Sequence, residues 1–189
     1  MFIAGQPFWH LKKGRIMKEK GYIQVYTGNG KGKTTSCMGL ALRAAGAGFK
    51  VFIGQFLKGM KYSELESFKK LAPNVEIQQL GGDYFVFGKP SEEDIRMARD
   101  GLQLCRNKML SGEYDVIIMD EINVACHIGL VPLEDVLSLM DEKPEHTELI
   151  MSGRYAHQEV MDKADLVTEM REIKHYYNNG VEARVGIEK

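Results

Sequence analysis

From Tyr22 onward, β-branched and aromatic runs alternate with stretches whose apolar positions recur every three or four residues. Residues 22–27 read as a strand, followed by a glycine-rich turn and a helix from about 34 to 45 that Gly46 and Gly48 end. Residues 50–56 form the next strand, 63–71 a helix, 75–80 a short strand and 81–90 a loop. Ser91-Glu92-Glu93-Asp94 has the form of a capping box. The helix it opens carries Ile95, Ala98, Leu102, Cys105 and Met109 on one face, which marks a core-facing stripe. Residues 115–120 read as a buried strand, and Pro132 opens a helix that stops before Pro144. A strand over 147–151, a helix over 156–163 and a last parallel strand over 165–168 follow. This alternation predicts an α/β fold: a mostly parallel sheet with helices on both faces, in one domain spanning residues 17–189.

Residues 1–16 stand apart from that pattern. Lys13-Gly14-Arg15-Ile16-Met17 can be encoded by AAA-GGG-AGG-ATT-ATG, a purine-rich run like a bacterial ribosome-binding site ahead of a start codon. Met17 is thus a candidate start, with 1–16 as upstream-translated sequence. The alternative is an N-terminal arm that packs through Phe8 and Trp9.

Composition changes the picture in three places. At 189 residues the chain needs neither disulfide nor metal to close a core, since a chain this long buries roughly 70% of its unfolded surface. A formal net charge of -1, from 25 basic and 26 acidic residues, gives no global field for nucleic acid or an anionic membrane. No apolar run is long enough to span a bilayer. Cys37, Cys105 and Cys126 form no C-x-x-C pair, so they read as free thiols of a reducing, cytoplasmic compartment. The five histidines show no metal-binding spacing, which argues against a structural zinc site.

The most informative segment is Thr27-Gly28-Asn29-Gly30-Lys31-Gly32-Lys33-Thr34-Thr35, placed between the first strand and the first helix. Glycines there let backbone N–H groups turn inward as an anion nest, and the helix N-terminus adds partial positive charge. Lys33 is positioned to bridge phosphate oxygens and the Thr34 hydroxyl to ligate Mg²⁺. The first glycine of the general G-x-x-x-x-G-K-[ST] pattern falls on Thr27 instead. The fourth strand ends in Asp120-Glu121, where P-loop proteins hold a carboxylate beside the nucleotide's metal. Strand alternation sends the two in opposite directions, so spacing alone does not choose between them.

Taken together, these segments resemble the P-loop ATP:corrinoid adenosyltransferases. Besides the phosphate loop, the resemblance rests on Arg43-Ala-Ala-Gly46, Gln55-Phe-Leu-Lys-Gly59, Met119-Asp-Glu-Ile122, Pro132-Leu-Glu-Asp-Val136, Ser152-Gly-Arg154, Lys174-His175 and the closing 180–187, in that order along the chain. It implies a Rossmann-like sheet that binds ATP and Mg²⁺. Co(I) of a corrinoid attacks C5′ of ATP, and inorganic triphosphate leaves. Carried over residue by residue, Gly28 to Thr35 resemble the triphosphate and Mg²⁺ site. Arg43 resembles a nucleotide contact, with a helix-surface arginine as the plain alternative. Glu121 is the first choice for the metal-side carboxylate and Asp120 the second. Lys33, Glu121 and Arg154 are the expected catalytic set, and Gln55 and Lys58 end the second strand at the same sheet edge, Lys58 with a solvated loop charge as the equal alternative.

In the loop 81–88, Phe85-Val86-Phe87 keeps the family's aromatic-x-aromatic spacing, with Phe87 where a Trp is frequent and Tyr84 a rival for the first place. By the resemblance this pair closes on the corrin, displaces its lower axial ligand and eases reduction of Co(II). Filling the core beneath the loop is the alternative role for these rings. The resemblance also implies a homodimer and an electron donor, reduced flavodoxin or another flavoprotein. The residues alone leave open a conventional P-loop kinase or NTPase, and a nucleotide-dependent corrinoid carrier without turnover.

Overall fold

The computed structural model describes residues 19–84 and 88–189. Residues 1–16, Phe85 and Phe87 lie outside the described residues, and the expectations placed on them with them. The strands are β1 (Ile23–Thr27), β2 (Val51–Phe56), β3 (Val75–Leu80), β4 (Val116–Asp120), β5 (Glu148–Ser152) and β6 (Leu166–Glu169). They form one sheet in the order β3-β2-β4-β5-β1-β6, and every pairing is parallel. The helices are α1 (Lys33–Gly46), α2 (Ser63–Lys69), α3 (Glu92–Leu110), α4 (Ile122–His127), α5 (Leu133–Asp141) and α6 (Gln158–Lys163).

Every residue of β2 and β4 is buried, the mark of strands covered on both faces. Alternation divides them between two cores. Val51, Ile53, Val116, Ile118 and Ile150 pack with Cys37, Ala41 and Ala44 of α1 and Phe68 of α2. Phe52, Phe56, Ile117, Met119, Leu149 and Met151 pack on the other face with α3 to α6. The predicted stripe of α3 supplies Ala98, Leu102, Cys105 and Met109 to that second core, with Ile95 packed against it.

The capping box of α3 is present: the Ser91 hydroxyl accepts from the Asp94 N–H at 3.1 Å, and the Asp94 carboxylate accepts from the Ser91 N–H at 2.9 Å. Tyr84 donates its hydroxyl to the other Asp94 oxygen at 2.7 Å. These bonds from Ser91 and Tyr84 hold the Asp94 carboxyl below its ordinary range. No described helix is long and apolar enough to cross a membrane.

Candidate nucleotide site

The carboxyl ends of β1, β2, β4 and β5 meet the N-terminus of α1, where ligands of open α/β sheets collect. Gly32, at φ 127°, turns the chain into α1, whose first turn has no side-chain cap and no acidic residue. That leaves the positive end of the helix facing the cavity. Gly28 is required by conformation (φ 92°) and by crowding, and Gly30 by crowding alone. A Cβ on Gly28 would stand 2.5 Å from the Met170 carbonyl oxygen, and one on Gly30 2.8 Å from Arg171 backbone. The Gly30 N–H donates to the Met170 carbonyl at 2.7 Å, so the loop after β1 and the chain after β6 brace one another.

Lys33 is buried, and its ammonium donates to the carbonyls of Gly28 at 2.7 Å and Gly30 at 2.8 Å. Burial pushes its pKa down, and Arg154 adds to that against the pull of Glu121 and Asp120. The Thr34 hydroxyl lies 3.0 Å from Asp120 Oδ1. Asp120 is fully buried and also accepts from Ser152 Oγ at 2.6 Å, Gln55 Nε2 at 3.4 Å and Lys58 Nζ at 2.7 Å. Gln55, Asp120 and Ser152 are in phase with Val51, Ile118 and Ile150, so they extend the α1-side core face into the site.

Glu121 does not continue the strand. It takes a left-handed conformation (φ 64°) as the residue before α4, with its N–H on Ser152 Oγ at 3.1 Å. That turn returns its side chain to the cavity wall. Burial, then the neighbouring Asp120 charge, push its carboxyl above the usual range. Glu121, Leu57 (φ 59°) and Tyr155 (φ 61°) are the described non-glycine residues at positive φ, and each follows the end of a site-facing strand. Strained conformations of this kind gather at functional sites.

The cavity has a volume of about 560 Å³. Lys31, Gly32, Thr35 and Arg154 line it with Lys33, Thr34 and Glu121, as the sequence reading grouped them. Asn29 is exposed on the outer side of the loop. Arg43 is not brought to the cavity: it stands exposed in the last turn of α1, roughly 15 Å along the helix from Lys33 at 1.5 Å per residue. Tyr84 is not part of this wall either.

Sequence reasoning quoted the closing 180–187 for the resemblance but gave it no place in the site. Residues 186–189 return over the phosphate loop, where Lys31 Nζ donates to the Ile187 carbonyl at 3.2 Å and Ser63 Oγ to the Lys189 carbonyl at 3.0 Å. The start of α2, with Ser63 and Glu64, completes that side. The segment match does not say where they sit, because only the tertiary path brings them here.

A magnesium ion, which P-loop chemistry implies, finds a suitable donor set. Thr34 and Asp120 present hard oxygens, Gln55 Oε1 is buried without a hydrogen-bond partner, and the Lys58 ammonium already stands as a cation on the Thr34–Asp120 pair.

The family model described as ATP:corrinoid adenosyltransferase BtuR/CobO/CobP matches residues 19–188. The corrinoid adenosyltransferase of Escherichia coli K12 is 34% identical over 171 residues, covering 90% of this chain and 86% of that protein. The corrinoid adenosyltransferase CobA of Salmonella typhimurium is 34% identical over 175 residues, covering 92% and 88%. Among solved structures, a KaiC-like protein of Pyrococcus horikoshii superposes with a TM-score of 0.54 at 16% identity, over 82% of this chain and 75% of that one. The RadB recombinase gives 0.55 at 13% identity, over 83% and 77%. These two likenesses speak to the P-loop sheet alone.

Proposed function

The chain belongs to the ATP:corrinoid adenosyltransferase family, whose activity is ATP-dependent adenosyl transfer to a corrinoid, and on that premise we propose how this cavity serves the reaction. The triphosphate of ATP lies in the loop from Gly28 to Thr35, with Lys33 leaving its two backbone carbonyls for phosphate oxygens. Arg154, a planar donor on the cavity wall, faces the same charge. The supporting observation is the Thr34 hydroxyl on Asp120 beside a buried lysine in a glycine nest. Thr34 and Asp120 would hold magnesium, with Glu121 over the same cavity; the ion supplies charge neutralisation to the leaving triphosphate.

In the transfer, the Co(I) electron pair forms the Co–C5′ bond. The C5′–O5′ pair leaves with triphosphate. No proton changes hands, so the protein's task is alignment and electrostatics. This accords with a phosphate loop whose neighbouring charged groups are Lys31, Lys33, Lys58, Arg154 and the acids Asp120 and Glu121. Phe85 and Phe87, or Tyr84 in place of Phe85, serve the corrin. A flavin donor such as reduced flavodoxin, a homodimeric state and a cytoplasmic setting for the free thiols complete the proposal, all on the resemblance and on the unpaired Cys37, Cys105 and Cys126. Light scattering reads the dimer directly, and a monomer at working concentration removes that part.

The test is incubation with ATP, Mg²⁺ and chemically reduced cobalamin. Light-sensitive adenosylcobalamin and stoichiometric triphosphate are expected. ADP or phosphate instead would mark a kinase or NTPase, and binding of both ligands without a Co–C bond a carrier. Run from Co(II) with a flavin donor, the same assay isolates reduction. Phe85→Ala and Phe87→Ala should lose most activity there and keep most of it with ready-made Co(I), because axial ligation sets the metal's potential. Equal loss in both assays would show that the pair serves corrin binding or folding.

A further inference from the structure

Lys58 is a second closely held cation of the site. β2 ends at Phe56, and Leu57 takes a left-handed φ of 59°, a conformation a leucine seldom adopts. The turn sends Lys58 back across the strand ends. Neighbouring backbone clamps it there: a Cβ on Gly81 would stand 2.7 Å from the Lys58 nitrogen, and one on Gly59 2.3 Å from the Gly82 carbonyl oxygen. The Tyr62 ring lies 5.1 Å from the ammonium. Nζ sits 2.7 Å from Asp120 Oδ2 and 3.4 Å from Thr34 Oγ1, with the side chain only 12% exposed. That contact with Asp120 is an ion pair of ammonium on carboxylate.

Asp120 does not need this partner for satisfaction, since Ser152, Thr34 and Gln55 already donate to it. A buried ion pair is also weak grounds for stability, because desolvation offsets its Coulombic gain. What distinguishes the pair is place. Lys58 stands on the same two oxygens that the nucleotide reading assigns to the metal, and it lines the cavity that the phosphates enter.

We propose that Lys58 is an exchangeable cation: in the empty site it occupies the Thr34–Asp120 pair, and in the loaded site it lies on the phosphate chain as a further charge for the leaving group. This rests on the nucleotide-site reading above. In the step itself the C5′–O5′ electron pair departs with triphosphate while Lys58 stays protonated, opposing the charge left on that group. Metal binding without nucleotide must therefore displace an ammonium, whereas metal binding with nucleotide gives that ammonium a new partner.

The test uses Mn²⁺ as probe, titrated by electron paramagnetic resonance against the protein without nucleotide. Lys58→Met should bind Mn²⁺ at least about tenfold more tightly than the parent, since a like charge within 4 Å has gone. The same variant should turn over at least about tenfold more slowly at saturating ATP. Lys58→Gln, which keeps a donor on Asp120, should behave alike and guards against a folding defect, checked by thermal melts. Unchanged or weaker Mn²⁺ binding in both variants overturns the inference. Lys33→Ala is the separate control. If it leaves ATP affinity at the parent level, the nucleotide-site reading itself fails. If it abolishes ATP binding while Mn²⁺ affinity is unmoved in the Lys58 variants, only the exchange fails.

Discussion

Glu121 shows how far one residue's environment reaches. It is held at φ 64° beyond β4, and its burial and the neighbouring Asp120 charge disfavour its ionised form. An unfolded glutamate titrates near ~4.3, and the folded value is raised above that. Protonated Glu121 therefore favours the folded state below the unfolded value, and that contribution is lost as pH rises through the raised one. At neutral pH the charged side chain costs stability that its role at the cavity requires. Glu121→Gln should melt higher than the parent at pH 7.5, by about 2–4 °C for each kcal/mol relieved. The difference should shrink towards pH 4, and transfer should fall. Equal melting temperatures at pH 7.5 would show that Lys33, Lys58 and Arg154 already neutralise the group. This residue also marks a boundary of legibility. Sequence placed both acids at the end of the fourth strand and ranked Glu121 first for the metal side. The structure sets Asp120 against Thr34 because β4 presents Val116, Ile118 and Asp120 to the α1 face. Which face α1 covers is a tertiary fact, and so is the left-handed turn that brings Glu121 back to the same cavity.

At the scale of elements, the strand and helix pattern was readable where an element has a strong period or a capping signal. β3 has the predicted limits, and α3 opens on its box at Ser91. α4 was missed, since six residues following a buried strand show no period of their own. The closing 3₁₀ turn Tyr176–Asn179 is equally short. The packing of α3 on β2 was also beyond sequence, because it depends on a glycine that reads as a weakness in a strand. A Cβ on Gly54 would stand 2.7 Å from Cys105 Sγ and 2.8 Å from Leu80 Cδ1. Gly54→Ala should therefore destabilise by about 1–3 kcal/mol, the usual range for an overpacked core, with the loss read from urea unfolding. Cys105→Ala in the same background should recover part of it, since it removes one of the two opposing atoms. Additive losses would place the strain on Leu80 alone, and no loss at all would mean that α3 can move aside.

The whole molecule builds its cavity from parts that are remote in sequence: the phosphate loop, the start of α2, the ends of β4 and β5, and residues 186–189. Sequence supplied the first and the strand ends, because nests and strand-terminal acids have local signatures. It could not place the last wall, whose residues are mostly exposed and entered the resemblance without a role in the site. That wall is fastened at Glu188, whose carboxyl is held down to about 2 by Arg184 and then Tyr176. Two effects of deleting residues 186–189 oppose each other. Lys31 loses its bond to the Ile187 carbonyl and is freed for phosphate, which favours binding. The cavity loses one side, which exposes the triphosphate to water and weakens every charge contact there. The ammonium carries its charge in both contacts, but phosphate adds an opposite charge that the exposed Ile187 carbonyl lacks, so phosphate is the stronger partner. On the proposed triphosphate pose Lys31 would exchange the carbonyl for phosphate even with the wall in place, so its release would gain little. Loss of the wall decides the outcome. ATP affinity, measured by calorimetry, should fall about tenfold, the equivalent of one such charged contact. The melting temperature should barely move, since these residues bury little apolar surface. Tighter ATP binding after the deletion would show instead that the segment competes with phosphate for Lys31.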